Sequence, residues 1–222
     1  MISAIILAGG KGKRMNYEKS KQFILIKEKP VLVYTLEKFI NNKNIDEVIL
    51  VLPEDEVEYC KTEVLEKYSI HVDKIVIGGK ERQDSVFNAL KELKNTDIVL
   101  IHDGARPFIS DKIINEGIKY ADIYGAAAPG VMPKDTIKVK DNNNISISTP
   151  DRSKLVAVQT PQCFKFEEIF NCHQKVKKDN IVVTDDTSVV EQYGYQVYLY
   201  DGEYTNIKIT TPDDLILAER LI

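Results

Sequence analysis

Two alternating hydrophobic periods constrain what this chain can fold into. Short runs of β-branched and apolar residues recur, and between them lie segments whose apolar residues repeat at helical spacing. The runs are apolar nearly throughout, as strands are when helices cover both faces of their sheet. The predicted strands are Ile2–Ala8, Glu47–Leu52, Lys74–Ile77 and Asp97–Ile101, and the predicted helices between them are Pro30–Asn41, Glu54–Tyr68 and Arg82–Leu93. We therefore predict an α/β fold with a mostly parallel central sheet, right-handed crossovers and helices on both faces.

The pattern changes after residue 133. Apolar residues alternate on either side of the turn-forming stretch Asp141–Asn144, which predicts a β-hairpin, and we call residues 134–155 the arm. An isolated hairpin is marginally stable in water, so we expect the arm to lie on another surface. Helical patterns then return at Phe166–Lys177, Thr187–Tyr193 and Pro212–Leu221.

Length and composition narrow the class of protein. The chain has 222 residues, 43% of them hydrophobic, which suits a single domain, 1–222. A net charge of −4 disfavours a nucleic-acid binder, and no apolar run is long enough to cross a membrane. The apolar run at the start is too short for a signal peptide core. Three scattered cysteines without a CxxC pair favour a reducing, cytoplasmic location.

The loop after the first predicted strand, "LAGGKGKRM", concentrates glycine and positive charge. It lacks the GxxxxGK[ST] pattern of a P-loop, and Met15 stands where a dinucleotide fingerprint needs its third glycine. A glycine-rich turn whose backbone N–H groups bind an anion fits better, with Arg14 and Lys21 adding full charges. A solvated basic turn is the alternative. The position of the loop at the carboxyl end of a strand favours phosphate binding.

Other polar clusters follow the ends of later predicted strands. In "HDGARPF", Asp103 is well placed to hold Mg²⁺ with substrate phosphates, although a turn residue before Gly104 is the alternative. A carboxylate at the end of a strand should be dispensable for folding. In "GGKERQDSV", Gly79 allows close approach of a flat ligand and Ser85 offers a hydroxyl, while a plain turn and helix start explain the same residues.

Three further features carry weaker signals. In "VTDDTS", a helix N-cap is the simpler interpretation. Lys208 is predicted to lie in a late strand, where an inward lysine needs an anionic partner. His71 and His173 are expected to be surface or packing residues.

Taken together, these motifs resemble one family. "LAGGKGKRM", "SKQF", "GGKERQDSV", "HDGARPF", "KDTIK", "DRSKLVAVQTPQCF", "TDD" and "NIKITTPDDL" follow the order and spacing of the 2-C-methyl-D-erythritol 4-phosphate cytidylyltransferases over essentially the whole chain. The resemblance implies a Rossmann-like nucleotidyltransferase fold and Mg²⁺-dependent transfer of CMP from CTP to methylerythritol phosphate, in non-mevalonate isoprenoid synthesis. It also implies a homodimer whose arms interlock.

The resemblance also implies roles for individual residues. Arg14 and Lys21 would hold the triphosphate, and Asp103 would bind the metal. The residues implied to lie around the nucleotide are Ala8, Gly9, Gly10, Gly79, Lys80, Ser85, Asp103 and Gly104. Those implied to face the sugar phosphate are Arg106, Thr136, Thr160, Thr184 and Lys208, joined by Arg152 from the partner subunit.

Two alternatives stay open at this point. Gly9 stands where many members have alanine, and "LAGG" is also similar to the ribitol-5-phosphate cytidylyltransferases. Lys80 stands where an acidic residue can occur. A non-catalytic nucleotide-binding protein on the same sheet is the other alternative, and Asp103 argues against it because mere binding needs no carboxylate facing the α-phosphate.

Overall fold

The computed structural model describes residues 1–9 and 20–222, which form twelve strands and seven α-helices. The strands are β1 (Ile2–Leu7), β2 (Leu25–Ile26), β3 (Lys29–Pro30), β4 (Glu47–Leu52), β5 (Lys74–Ile77), β6 (Ile98–Asp103), β7 (Ala126–Val131), β8 (Val139–Lys140), β9 (Ser146–Ser148), β10 (Ala157–Val158), β11 (Gln162–Lys165) and β12 (Tyr198–Asp201). The helices are α1 (Val31–Ile40), α2 (Val57–Cys60), α3 (Arg82–Leu90), α4 (Asp111–Tyr124), α5 (Phe166–Asp179), α6 (Asp186–Glu191) and α7 (Pro212–Leu221). Short 3₁₀ turns cover Lys21–Phe23, Glu54–Glu56 and Arg152–Lys154, and π-helical residues Lys61–Glu66 continue α2.

The central sheet has the order β5–β4–β1–β6–β11–β7, and β10 and β12 also pair with β7. The first four strands run parallel, as does the β7–β12 pair, whereas β11 runs antiparallel to both of its neighbours. The predicted mostly parallel, helix-flanked sheet is therefore confirmed, and two antiparallel strands are an addition, β11 inside the sheet and β10 beside β7. After β1 the chain adds β4 and β5 on one side of it, and then returns to add β6 on its other side. The β1–β6 crevice is thus the topological switch point at which open α/β sheets bind ligands.

Helices cover both faces of the sheet, and the strands alternate accordingly. Ile6 and Leu100 pack on one face in a core with residues of α1 and α4. Ile5 and Val99 pack on the other face with residues of α3, α5 and α6. This two-sided burial explains why the strands read as continuous apolar runs.

Most predicted elements lie close to the observed bounds. The strands at 47–52 and 74–77 and the last helix are reproduced, and Pro212 occupies the first turn of α7 as predicted. The predicted helix at 54–68 is instead a 3₁₀ turn, a short α-helix and a π-helical segment. The N-cap interpretation of "VTDDTS" is confirmed, because the Asp185 side chain accepts from the backbone N–H of Ser188 at the start of α6.

The predicted hairpin is present as β8 and β9. Its turn closes through the Asp141 carboxylate, which accepts from the backbone N–H groups of Asn143 and Ile145. Ile145 and Ile147 are 64% and 65% exposed, so the apolar face of the arm is uncovered within one chain.

Two features depart from expectation or lie outside it. Helix α4 and strand β7 occupy a stretch for which the sequence patterns give no element. Lys208 lies in an irregular segment after β12 rather than in a strand.

Cys60, Cys163 and Cys172 are buried free thiols. Within residues 1–9 and 20–222, no helix is both long and apolar enough to cross a bilayer.

Candidate active site

The site lies where β1 and β6 end side by side at the switch point. Leu7 pairs with Asp103 in the parallel register, and the backbone N–H of Gly104 donates to the carbonyl of Leu7 (2.8 Å). A Cβ on Gly104 would lie 3.0 Å from that carbonyl, so a side chain would separate the two strand ends. On the other side, the N–H of Ala8 donates to the carbonyl of Val51 (2.9 Å). Ala8 and Gly104 therefore hold the mouth of the crevice through their backbones.

A cavity of about 300 Å³ opens at this edge of the sheet. Among the described residues, its lining carries four cationic side chains and two carboxylates, although the whole chain has a net charge of −4. The lining residues are Leu7, Gly9, Lys21, Gly79, Lys80, Glu81, Arg82, Ser85, Asp103, Ala105 and Lys208. This excess of positive charge suits an anionic ligand.

Three cations converge on the Asp103 carboxylate, whose side chain is 12% exposed. Lys208 Nζ lies 2.7 Å from Oδ2, Arg106 Nε lies 3.7 Å from Oδ2, and Arg82 Nε lies 3.9 Å from Oδ1. Burial alone would raise the pKa of Asp103, but the attraction of Lys208 and Arg82 holds that pKa well below its ordinary value. The anionic partner expected for Lys208 is therefore present. That Asp103 is dispensable for folding stays a prediction, and these contacts argue against it, because removal of the carboxylate would leave Lys208 and Arg106 without their acidic partner.

A directed hydrogen-bond chain fixes the end of β6 behind this carboxylate. Burial lowers the pKa of His102 to about 4, so its ring is neutral at pH 7. The carbonyl of Arg106 can only accept, so His102 Nε2 donates to it (3.2 Å). His102 Nδ1 then accepts from the Thr160 hydroxyl (3.0 Å), and Thr160 Oγ1 accepts from the N–H of Asp103 (3.1 Å). Thr160 is thus committed to orienting Asp103 from behind and does not line the cavity.

The loop between β5 and α3 forms the opposite wall. Ser85 Oγ accepts from the N–H of Gly79 (3.0 Å) and donates to the carbonyl of Glu81 (3.2 Å). A Cβ on Gly79 would lie 2.2 Å from Cβ of Asp84, a residue of the α3 capping box. The turn itself therefore requires glycine at position 79, which was the alternative interpretation of this motif. Lys80 also lines the cavity, beside Glu81.

Arg82 connects the cavity to a buried carboxylate, a role that the sequence patterns do not indicate. Its Nη1 lies 2.7 Å from Oδ2 of Asp186 at the start of α6. The Gln162 side chain accepts from the N–H of Asp186 (2.9 Å) and so positions it from β11. Arg82 occurs in a quoted motif directly after a strand end, and this position was the available signal. Its partner is about 100 residues away, and no local pattern could identify it.

His173 is a packing residue, as expected, and it also faces a buried carboxylate. The residue is buried, as a packing residue should be, but its Nε2 faces Oδ1 of Asp186 at 3.4 Å. His71 is exposed.

The structure brings together only some of the predicted site residues. Gly9, Lys21, Gly79, Lys80, Ser85, Asp103 and Lys208 line the cavity. Arg106 lies beside it, with its guanidinium donating to the carbonyl of Asn206 (2.7 Å). Thr184 and Thr136 are exposed and do not line the cavity, and Arg152 donates to the carbonyl of Lys134 at the base of the arm (2.9 Å). Gly10 and Arg14 lie outside the described residues.

The cavity offers few ligands to a metal ion. Among residues 1–9 and 20–222, no three His, Cys, Asp or Glu side chains gather as a ligand set. Of the two carboxylates in the described lining, that of Glu81 belongs to the capping box of α3, and that of Asp103 has an Oδ1 less closely approached by cations than its Oδ2. Mg²⁺ binds through one or two carboxylates together with substrate phosphates. These residues therefore fit Mg²⁺ as an ion shared between Asp103 and a phosphorylated substrate.

Comparison with known proteins agrees with this geometry. A family model described as "IspD: 2-C-methyl-D-erythritol 4-phosphate cytidylyltransferase" matches residues 2–222. A curated protein of that name from Clostridium beijerinckii is 62% identical over 222 residues, which span 100% of this chain and 98% of that protein. A second, from Clostridium botulinum, is 59% identical and spans 100% of this chain and 99% of that protein.

Solved structures give the same result for the fold. The 4-diphosphocytidyl-2C-methyl-D-erythritol synthase of Anaerococcus prevotii superposes with a TM-score of 0.87 at 36% identity, covering 99% of this chain and 94% of that chain. The cytidylyltransferase of Francisella tularensis superposes with a TM-score of 0.83 at 31% identity, covering 100% of this chain and 99% of that chain. These likenesses confirm the predicted nucleotidyltransferase fold class.

Proposed function

Because the chain belongs to the 2-C-methyl-D-erythritol 4-phosphate cytidylyltransferase family, we propose that it transfers CMP from CTP to methylerythritol phosphate, giving CDP-methylerythritol and pyrophosphate. One observation carries this proposal for the chain's own residues. Asp103, ionised and surrounded by Lys208, Arg82 and Arg106, lies on a cation-rich cavity at the switch point of the sheet. This concentration of cations supports a reaction between two phosphorylated substrates.

Electrostatic repulsion is the main barrier to this reaction. A phosphate oxygen of the sugar phosphate attacks the α-phosphorus of CTP in line, the new P–O bond forms, and the bond to the pyrophosphate oxygen breaks. Both reactants are anions, so catalysis consists of positioning and of charge stabilisation. In our proposal Arg14 and Lys21 hold the triphosphate, while Lys208 and Arg106 orient the attacking phosphate from the Asp103 side.

The nucleotide is proposed to lie along the walls of the cavity. Gly9 lies at the cavity, and the backbones of Ala8 and Gly104 frame its mouth. The β5–α3 loop, with Gly79, Lys80 and Ser85, would face the cytosine and ribose. The Ser85 hydroxyl already donates its one proton to the carbonyl of Glu81, so it holds the shape of the loop and could offer a ligand its remaining lone pair.

Mg²⁺ belongs to the proposal as the resident cofactor. Asp103 would hold it together with phosphate oxygens of CTP, and the ion would supply charge neutralisation at the reacting phosphate. Lys208 and Arg82 keep the carboxylate ionised and oriented for that purpose.

The second subunit is also part of the proposal. Thr136 and Arg152 lie on the arm, away from the cavity of their own chain, and the apolar face of the arm is uncovered. An arm crossing to a partner would bury that face and bring Arg152 to the sugar phosphate.

We also place the protein in the cytoplasm, in keeping with its three free thiols.

A substrate matrix tests the proposed function. Pyrophosphate release is measured with CTP, UTP and ATP, each with methylerythritol phosphate or ribitol 5-phosphate. We expect turnover only with CTP and methylerythritol phosphate, and none without the acceptor. Preference for ribitol 5-phosphate would move the chain to the other cytidylyltransferase family, and nucleotide binding without turnover in every combination would make it a binding protein.

A further inference from the structure

The segment that carries Lys21 is anchored by one carboxylate from another element. Glu56 ends the 3₁₀ turn before α2, and its two oxygens accept from two different side chains. Oε1 accepts from the hydroxyl of Ser20, and Oε2 accepts from the amide of Gln22 (2.9 Å). The two donors are the neighbours of Lys21 on either side. Glu56 thus binds both ends of a three-residue segment whose middle residue reaches the cavity.

Gln22 extends this anchor to the end of β1. Its side chain is 1% exposed, and its Nε2 also donates to the carbonyl of Ala8 (2.5 Å). Both amide hydrogens are therefore used, one on Glu56 and one on the backbone at the mouth of the crevice. This arrangement fixes the distance between Lys21 and the β1 end, where the triphosphate is proposed to lie.

The residue that follows this segment is also held in place. Phe23 is buried, and its ring packs edge-on against that of Tyr59, with centroids 5.1 Å apart. Ser20 and Gln22 are buried as well, so Lys21 is the residue of this segment that faces the cavity. Lysine has a long flexible stem, so the position of its ammonium depends strongly on how firmly its backbone is held.

We propose that Glu56 is a positioning residue for Lys21, an inference that rests on the proposed function. Two donors approach Glu56, and only a carboxylate offers an acceptor to each of them. Without it, Ser20 and Gln22 lose their shared partner and the Lys21 backbone is released from the crevice. Misplacement of a catalytic group by about 1 Å can cost ~10²-fold in rate. The role of Glu56 is therefore exerted through Lys21 and not through contact with a substrate.

A double-mutant cycle measures this dependence. Glu56→Ala should lower kcat by ~10- to 100-fold and change KM for CTP much less. In a Lys21→Ala background, which itself should lower kcat by ~10²–10³, adding Glu56→Ala should change kcat by no more than ~2-fold. Ser20→Ala removes one donor with little change in volume, and serves if Glu56→Ala folds poorly. It should lower kcat several-fold in the wild-type background and have no effect beside Lys21→Ala.

The controls separate a local role from a general one. Glu58→Ala removes an exposed carboxylate two residues away, paired with Lys61, and should leave kcat and the melting temperature unchanged. Equal fold-losses for Glu56→Ala in both backgrounds, or wild-type kcat in a folded Glu56→Ala variant, would overturn the proposal. Absence of CTP-dependent turnover in the wild type would instead reject the proposed function, so the two failures are distinguishable.

Discussion

Arg82 joins two carboxylates that belong to different parts of the chain. Its Nη1 lies 2.7 Å from Oδ2 of Asp186, which is 1% exposed, and its Nε lies 3.9 Å from Oδ1 of Asp103 in the cavity. Burial would raise the pKa of Asp186, but Arg82 keeps that pKa below its ordinary value. The buried ion pair therefore fixes a guanidinium whose other edge faces the site.

Asp186→Asn should disturb both folding and catalysis. The substitution keeps the shape of the side chain but removes the charge that holds Arg82. We expect the free energy of unfolding to fall by about 3 kcal/mol, as when a buried pair loses one partner. We expect kcat to fall by ~10-fold because Arg82 is no longer fixed beside Asp103. Urea unfolding and steady-state kinetics measure the two effects, and Asp122→Asn on the exposed side of α4 is the control. Wild-type values for both quantities would show that Arg82 needs no buried partner.

His102 should make stability depend on pH. Its pKa is lowered from 6.5 to about 4 by burial, so the unfolded chain binds more protons than the folded one between these values. The free energy of unfolding should therefore decrease as pH falls through this window, with a contribution of about 3 kcal/mol lost by pH 4. The free energy of unfolding, obtained from urea denaturation at about pH 4.5, 5.5, 6.5 and 7.5, measures this slope.

Two variants identify the source of that slope. His102→Gln should reduce the pH dependence relative to wild type, whereas His71→Gln, which removes an exposed imidazole, should retain it. An unchanged slope in His102→Gln would assign the effect to other groups.

The sequence predicted those parts of the fold whose signals are local. Strands such as Glu47–Leu52 are buried on both faces and have a composition found in few other elements, so their bounds were predictable. Ligands of such sheets bind beyond the carboxyl ends of the strands, so the ends of β1 and β6 were predictable as the ligand-binding edge. Asp103 and Lys21, both predicted for this edge, line the cavity.

The parts that were missed depend on contacts between distant residues. Helix α4 has a glycine at its centre, which weakens a helical signal, yet a Cβ on Gly117 would lie 2.6 Å from Cys163 Sγ and 2.7 Å from Tyr200 Oη. Strand β7, "AAAPGV", has little intrinsic strand preference and is held by its neighbours in the sheet. The Arg82–Asp186 pair spans about 100 residues, so its existence depends on how α3 and α6 pack.

Removal of metal should abolish turnover in the proposed mechanism. EDTA is expected to stop pyrophosphate release, and added Mg²⁺ to restore it, because Asp103 and the substrate phosphates then lack their shared ion. Asp103→Asn should lose activity without rescue by Mg²⁺ and should also melt at a lower temperature, since three cations face that position. Calorimetry of the wild type in EDTA separates the two effects, because chelation alone should leave the melting temperature in place. Full activity in EDTA would remove the metal from the mechanism.

The arm should complete the active site of the partner subunit through Arg152. In its own chain this side chain donates to the carbonyl of Lys134 and does not line the cavity, so it lies at the base of the arm with its charge away from the site. Arg152→Ala and Lys21→Ala should each be nearly inactive as homodimers. When the two are mixed and allowed to exchange subunits, one site of each mixed dimer lacks both residues, and the other has both.

Mixing should therefore restore activity toward half of wild type per mixed dimer. The intact site takes Lys21 from the Arg152→Ala chain and Arg152 from the Lys21→Ala chain. Subunit exchange is followed independently by native mass spectrometry of the mixture, with one chain isotopically labelled. Arg152→Lys is the matched variant, and it should recover only part of the activity because an ammonium cannot contact a phosphate in the bidentate manner of a guanidinium. If mixed dimers form and activity stays at the level of the separate variants, Arg152 acts within its own chain and the arms do not complete each other's sites.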